Sequence, residues 1–411
     1  MARPMSERVR IDSIGRQGDG VADTPHGRVH VAFTLPGEEV EIARDGERGT
    51  LEAVIRPSGE RATPPCRHFG ACGGCALQHW KAEPYIAWKR SLVAEALARE
   101  GVRVEVAQTV PAYGSGRTRA VFHAGRGDRK DAVGFARRRS HEIVAIEECP
   151  VLDPKLEAAL PVARELAKIL TAAGKPVDLH FTLAERGLDI DIRGPGKLAK
   201  PVESKLVSFA AEKKLSRVSL HGVPLAKLLP PTHLVGEVRV AFTPGPFLQA
   251  TAEGERVLAE KVLEAAAGAK SSTDLFSGIG TFALRLASKA KVAAFDNHEP
   301  SIAALQAAAK SPGLKPVSAS VRDLFRWPLV TDELRHFDFV VLDPPRQGAE
   351  AQVRELAKSK VKKIAYISCD ADTFARDAKV LIDGGYRIGE VTPVDQFRYS
   401  PHVELLGEFS R

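Results

Sequence analysis

Between residues 7 and 57, apolar and polar positions alternate in short runs. Val9 and Ile11 stand among charges, followed by Val29, Val31 and Phe33, then Val40 and Ile42, then Leu51, Ala53 and Ile55. The runs are punctuated by Gly15-Arg16-Gln17-Gly18-Asp19-Gly20 and by Pro36-Gly37. A period of two between turn residues predicts strands. Several strands within about 50 residues predict a small β-barrel over residues 1–60. From 83 to 101 the period lengthens: Ile86, Leu92, Val93, Leu97 and Ala98 form a helical stripe that Gly101 ends. Residues 103–245 mix strand-like runs with helical stretches near 155–173 and 200–213. From about 246 onward, strand-like and helix-like segments alternate, the pattern of a doubly wound α/β domain.

Composition adds bounds to this picture. The 411 residues are 44% hydrophobic, which excludes wholesale disorder, and the length accommodates two or three domains. The divisions expected are 1–60, a central α+β domain over 61–245 (whose helix 83–101 could pack on the C-terminal domain), and 246–411. The opening residues have no apolar stretch behind them, and no apolar run is long enough for a bilayer. A soluble cytoplasmic protein with no membrane partner and no obligate protein partner is expected. The net charge of +7 is uneven. Residues 1–60 hold 8 basic against 11 acidic side chains, whereas residues 61–150 hold 15 against 9. The basic excess favours a polyanion partner there, with Arg117, Arg119, Arg137, Arg138 and Arg139 as candidate phosphate contacts.

The five cysteines are too few and too oddly placed for a disulfide framework. Cys66, Cys72 and Cys75 cluster, Cys149 follows 74 residues later, and Cys369 stands alone. Four thiols so spaced suit zinc or an iron–sulfur cluster. Zinc sites favour two short pairs, and only Cys72 and Cys75 make one, so a [4Fe-4S] cluster is the better match. Its expected role is structural.

Three motifs carry chemistry. Ser271 to Phe276 reads as a strand, Ser277-Gly278-Ile279-Gly280-Thr281 as a glycine turn, and a helix follows. Such a turn lets a ligand approach a helix N-terminus closely. The next strand ends at Asp296, 18 residues beyond Gly278, spacing that suits a carboxylate on ribose hydroxyls. The apolar strand Phe337–Leu342 delivers Asp343-Pro344-Pro345-Arg346 to the edge of the sheet where ligands bind. The strand Lys363–Ser368 delivers Cys369 to the same edge. A helix start there lowers a thiol's pKa, while Asp370 beside it acts oppositely.

Together these segments resemble the RNA 5-methyluridine methyltransferases. The matching stretches are Phe247-Leu248-Gln249, Asp274 to Gly280, Leu342 to Arg346, Tyr366-Ile367-Ser368-Cys369, and Pro393-Val394-Asp395 through His402-Val403-Glu404. The cysteine pattern resembles the [4Fe-4S] site of the 23S rRNA branch, and the first 60 residues look like that branch's TRAM barrel. The resemblance implies a class I S-adenosylmethionine-dependent methyltransferase domain of Rossmann-like fold and an RNA partner, most simply 23S rRNA, with tRNA as the alternative. It makes Cys369 the nucleophile toward uracil C6 and Glu404 the proton acceptor. It places the cofactor on Gln249, Phe276, Gly278, Gly280, Thr281, Asp296, Asp323 and Asp343, and the cluster on Cys66, Cys72, Cys75 and Cys149. Three positions depart from the family pattern: Asp370-Ala371 replaces Asn-Pro, Thr251 replaces Asn, and Arg398 replaces Pro. Two other readings remain open. One is an amino-group methyltransferase, whose loop resembles Asp343-Pro344-Pro345 but ends in an aromatic residue rather than Arg346. The other is a non-catalytic iron–sulfur RNA-binding protein.

Overall fold

The computed structural model describes residues 5–125, 132–170 and 176–411. The end of the expected helix over 155–173 falls outside these residues. Within them that helix comprises Pro154–Glu157 and Leu160–Leu170.

The N-terminal strands form one six-stranded sheet from Met5–Arg10 to Arg48–Arg56. Alternation decides which face is inside, because successive side chains of a strand point to opposite faces. Val9, Ile11, Val29, Val31, Val40 and Ile42 are buried together. A seven-stranded central sheet runs from Arg119–Ala124 to Val223–Lys227 in sequence. The helices Leu160–Leu170 and Lys200–Glu212 cover it through Leu166, Leu170, Leu206 and Phe209.

The C-terminal sheet is built from β1 (Ser271–Leu275), β2 (Lys291–Asp296), β3 (Val317–Val321), β4 (Phe339–Leu342), β5 (Lys363–Ser368), β6 (Arg387–Asp395) and β7 (Glu404–Ser410). Their spatial order is β3-β2-β1-β4-β5-β7-β6, with Val110–Pro111 added at the β6 edge. The first five strands are parallel, and β7 runs antiparallel between β5 and β6. Both faces are covered, so a central strand such as β4, Phe-Val-Val-Leu, is apolar throughout. One face buries Leu258 and Val262 of the helix Ala252–Ala265. The other buries Val93 and Leu97 of the helix Ala82–Arg99 together with Phe374 and Leu381 of Ala371–Asp383. The long helix after the cysteine segment thus lies on the C-terminal sheet. Among the described residues no helix is long and apolar enough to cross a membrane.

Candidate active site

Strand register brings the chemistry together. Leu275 pairs with Leu342, Leu342 with Tyr366, and Ser368 with Leu405. The residues that follow, Phe276, Asp343 and Cys369, therefore leave the sheet along one rim. Because β7 is antiparallel, its first residue, Glu404, sits on that same rim, opposite Cys369.

The glycine turn after β1 is shaped for a ligand. Phe276 has φ +65°, uncommon for a residue with a side chain, and its ring packs on Phe325 at 5.2 Å. Gly280 has φ +94°, and a Cβ there would come within 2.4 Å of Leu305. A Cβ on Gly278 would meet open space. Asp296 accepts the Gly278 N–H at 2.9 Å and the His298 N–H at 2.8 Å, which fixes the carboxylate beside the turn. Asp323 lies just past β3, where it accepts the N–H groups of Phe325 and Arg326 at 3.0 and 3.2 Å. Thr281 borders the turn, and its carbonyl accepts from Arg285 at 2.7 Å. Asp274 is fully buried, with Oδ2 on the Ala283 N–H at 2.7 Å. Its Oδ1 and the Ser277 Oγ have no partner among the described residues. Burial pushes the Asp274 carboxyl up to about 8. Orphaned buried polar atoms beside an open glycine turn fit a polar ligand such as S-adenosylmethionine.

A chain of side-chain hydrogen bonds links this region to Glu404. Gln249 Nε2 donates to Asp343 Oδ2 at 3.0 Å. Gln396 Nε2 donates to Gln249 Oε1 at 2.7 Å and to Glu404 Oε2 at 2.9 Å. Burial raises the Glu404 carboxyl to about 7 against the opposing Gln396 hydrogen bond. Burial and the Glu404 charge raise Asp343 as well. Cys369 is a half-buried free thiol. Burial first, then Glu404 and Asp343, push it up to about 11. The helix start that was expected to favour thiolate does not prevail. Asp370 caps the helix itself, taking the N–H groups of Asp372 and Thr373, both at 3.1 Å. Arg346 is the cation that opposes the rise at Cys369. His402, held down at about 4 by burial and by Arg346, stays neutral beside it.

Two residues missed in the sequence hold the segment between β6 and β7. Gln396 is one. Lys89, wholly buried, is the other: its ammonium donates to Asp395 Oδ1, to the Phe397 carbonyl at 3.1 Å and to the His402 carbonyl at 2.6 Å. Tyr113 Oη donates to the other Asp395 oxygen at 2.7 Å. The cysteine segment reaches the same loop, because the N–H groups of Ala76 and Leu77 donate to the Tyr399 carbonyl at 2.8 and 3.2 Å.

Cys66, Cys72, Cys75 and Cys149 line a single cavity of about 560 Å³ with Arg117 and Arg119. Burial lifts the Cys75 and Cys149 thiols to about 11 and 12, and the neighbouring cysteines add to the rise. Among the described residues, no group of three or more His, Cys, Asp or Glu side chains is arranged to hold a metal ion. The arginines expected to meet RNA all have partners within the chain. Arg137 pairs with Glu142, and Arg138 and Arg139 both pair with Asp19 of the N-terminal sheet. Arg117 stacks on Phe397 at 5.6 Å, and Arg119 donates to the Pro246 carbonyl at 3.0 Å and to that of Leu248.

Comparison with known proteins follows this geometry. Residues 236–408 match the tRNA (Uracil-5-)-methyltransferase family. An uncharacterised RNA methyltransferase of Brucella melitensis is 47% identical over 100% of this chain and 99% of its own length. The 23S rRNA (uracil(1939)-C(5))-methyltransferase RlmD of Chromohalobacter salexigens is 32% identical over 98% of this chain and 88% of its own. The tRNA (uracil-54, C5)-methyltransferase of Pyrococcus abyssi, solved with S-adenosyl-L-homocysteine, superposes with a TM-score of 0.77 at 24% identity. That match covers 98% of this chain and 99% of the other, and it shows the fold to be shared. The chain belongs to the family of S-adenosylmethionine-dependent RNA methyltransferases that includes the uracil-C5 enzymes.

Proposed function

We propose that this enzyme methylates C5 of a uridine in 23S rRNA through a covalent adduct between Cys369 and uracil C6. The observation that carries the reading is the placement of Cys369 and Glu404 just beyond the last β5–β7 register pair, Ser368–Leu405, where Glu404 and Asp343 both act on the thiol beside the glycine turn. Uracil C5 is a weak nucleophile. Attack of the Cys369 thiolate on C6 moves the C5=C6 electron pair onto C5 and O4 as an enolate. C5 then takes the methyl group of S-adenosylmethionine, whose S–CH3 electron pair departs with S-adenosylhomocysteine. Glu404 accepts the C5 proton, the C5–H pair re-forms C5=C6, and the C6–S pair leaves with Cys369. A stacked base cannot meet Cys369, so the uridine is flipped out or taken from an unpaired loop.

In this reading Phe276, Gly278, Gly280, Thr281, Asp296 and Asp323 hold the methyl donor, with Asp296 on its ribose, and Gln249 and Asp343 adjoin its reactive end. The N-terminal sheet is taken as a TRAM-like barrel. Cys66, Cys72, Cys75 and Cys149 would hold a [4Fe-4S] cluster. The buried Cys149 and the half-buried Cys66, Cys72 and Cys75 line one cavity with room for a polynuclear cluster, although their side chains are not drawn together into a metal-holding group, and ligation would deprotonate them. When bound, the cluster would cross-link residues 66–75 to Cys149.

The choice of 23S rRNA rests on the relative named for it. The second reading, a tRNA uridine, rests on the matching family's name. Incubation of the native protein with radiolabelled S-adenosylmethionine and in-vitro transcripts of 23S rRNA and tRNA decides between them. Production of 5-methyluridine in rRNA alone supports the proposal. Its production in tRNA alone selects the second reading, and no 5-methyluridine in either sinks both.

A further inference from the structure

Gln396 is 2% exposed, and both its amide hydrogens and its amide oxygen are hydrogen-bonded in one direction-specific pattern. Its Oε1 accepts the Ala250 N–H at 3.0 Å. Its Nε2 donates one hydrogen to Gln249 Oε1 and the other to Glu404 Oε2. Flipping the amide would set NH2 against the Ala250 N–H and oxygen against the Glu404 carboxyl, so the orientation is fixed by its neighbours. Space for the amide comes from Gly254, where a Cβ would lie 2.5 Å from Gln396 Oε1. Gln249 then passes the constraint on through Nε2 to Asp343. The side chain stands one residue past Asp395, which Lys89 pins.

We infer that Gln396 is a positioning residue: one amide aligns the proton acceptor Glu404 with the Gln249–Asp343 pair, so that the elimination step follows methyl transfer promptly. The inference rests on the proposed roles of Cys369 and Glu404. Hydrogen bonding to a charged acceptor is directional and favours the ionised form. The same bond therefore aims the Glu404 carboxylate and opposes the rise imposed by burial. The other charged or titratable groups facing Glu404 are Asp343, Cys369 and Arg346. Loss of the amide leaves Cys369 and the methyl donor in place and impairs removal of the C5 proton. Methylated RNA then stays bound to Cys369 through its C6–S bond.

The test compares wild type with Gln396→Met, which keeps the length and cannot donate. In-vitro transcribed 23S rRNA and tritiated-methyl S-adenosylmethionine are the substrates, and label migrating with protein on denaturing gels is the readout. About a tenfold or greater rise in the labelled covalent complex is expected, with the acid limb of kcat moved up by about one pH unit, as the loss of a hydrogen bond to a charged group implies. A variant that binds S-adenosylmethionine normally but shows neither change overturns the inference. Gln396→Glu guards against misfolding of the first variant. It keeps the shape and the acceptor for Ala250, and its added charge should move the acid limb upward too. An unmoved limb in a folded Gln396→Glu protein overturns the inference equally. Failure of the wild type to form a covalent complex with 5-fluorouridine-substituted RNA would instead remove the proposed reaction itself.

Discussion

Replacing Lys89 with Met removes an ammonium and leaves most of the aliphatic stem. Lys89 and Asp395 are both 0% exposed, so the variant strands a carboxylate where water cannot reach it. Asp395 keeps the Tyr113 hydroxyl at 2.7 Å and the Phe397 N–H at 3.0 Å. The Phe397 and His402 carbonyls lose the donor that drew them together. Breaking a buried ion pair from one side costs about 3–5 kcal/mol. Two remaining donors on Asp395 argue for the lower half of that range, and two orphaned carbonyls argue for the upper. About 4 kcal/mol is expected, a large part of the roughly 5–15 kcal/mol typical of a folded domain. Trp88 lies next to Lys89 in the same helix and packs with Trp80. Urea titration followed by tryptophan fluorescence reports the loss locally, and an unchanged slope keeps the comparison valid. Adding Asp395→Asn to Lys89→Met should recover part of the loss, because the stranded charge is then gone. A destabilisation below about 1 kcal/mol, or no recovery in the double variant, refutes the reasoning.

Other outcomes follow from the same geometry. Glu404 accepts a proton only when ionised, and burial places its carboxyl at about 7. Multiple-turnover methylation should therefore fall as pH drops through that value, and a flat profile from pH 6 to 8 would exclude Glu404 as the limiting base. Asp296→Ala removes the acceptor of the Gly278 and His298 N–H groups. Calorimetry should show about 10- to 100-fold weaker S-adenosylmethionine binding, as for loss of a charged hydrogen-bond partner, and unchanged affinity would displace Asp296 from the site. Cys149→Ser should abolish visible absorbance and stoichiometric iron and sulfide in protein purified without oxygen. Full iron content in that variant would remove Cys149 from the ligand set.

Positions at strand ends were legible in the sequence because a doubly wound sheet presents them at one rim, as with Asp343 and Cys369. Glu404 was readable only through the resemblance, since the antiparallel turn that brings it opposite Cys369 has no local signature. Lys89 was hidden by the rule that assigns charges to the exposed face. The buried face of its helix is Tyr85, Trp88, Lys89, Val93, Ala96 and Leu97; it shares Val93 and Leu97 with the stripe read from the sequence but turns away from Ile86, Leu92 and Ala98. A lysine four residues from both Tyr85 and Val93 was the available clue. The acidic N-terminal sheet makes more sense in three dimensions. Asp19 takes both Arg138 and Arg139, so part of the basic excess at 61–150 is met within the chain rather than by RNA. Arg16 bridges from that sheet to Asp372, three residues beyond Cys369.

The electrostatics also order the proposed steps. After burial, Glu404 is the strongest influence keeping Cys369 protonated, and Asp343 adds to it. The same rim therefore tolerates a thiolate or a Glu404 carboxylate better than both at once. Addition to C6 turns the thiolate into a neutral thioether and removes that repulsion, which favours ionised Glu404 when a proton acceptor is needed. Arg346 is the cation on this rim that lowers Cys369 and Glu404 alike. Because Arg346 is exposed, solvent screens its influence and the expected effect is modest. Arg346→Met should slow complex formation with 5-fluorouridine-substituted RNA several-fold near pH 7.5 and shift that step's limb to higher pH. The defect should shrink as pH rises toward the thiol's own range, because excess hydroxide then supplies the thiolate that Arg346 otherwise helps to stabilise. A defect of constant size across that range would mean that Arg346 serves RNA binding and not the thiol.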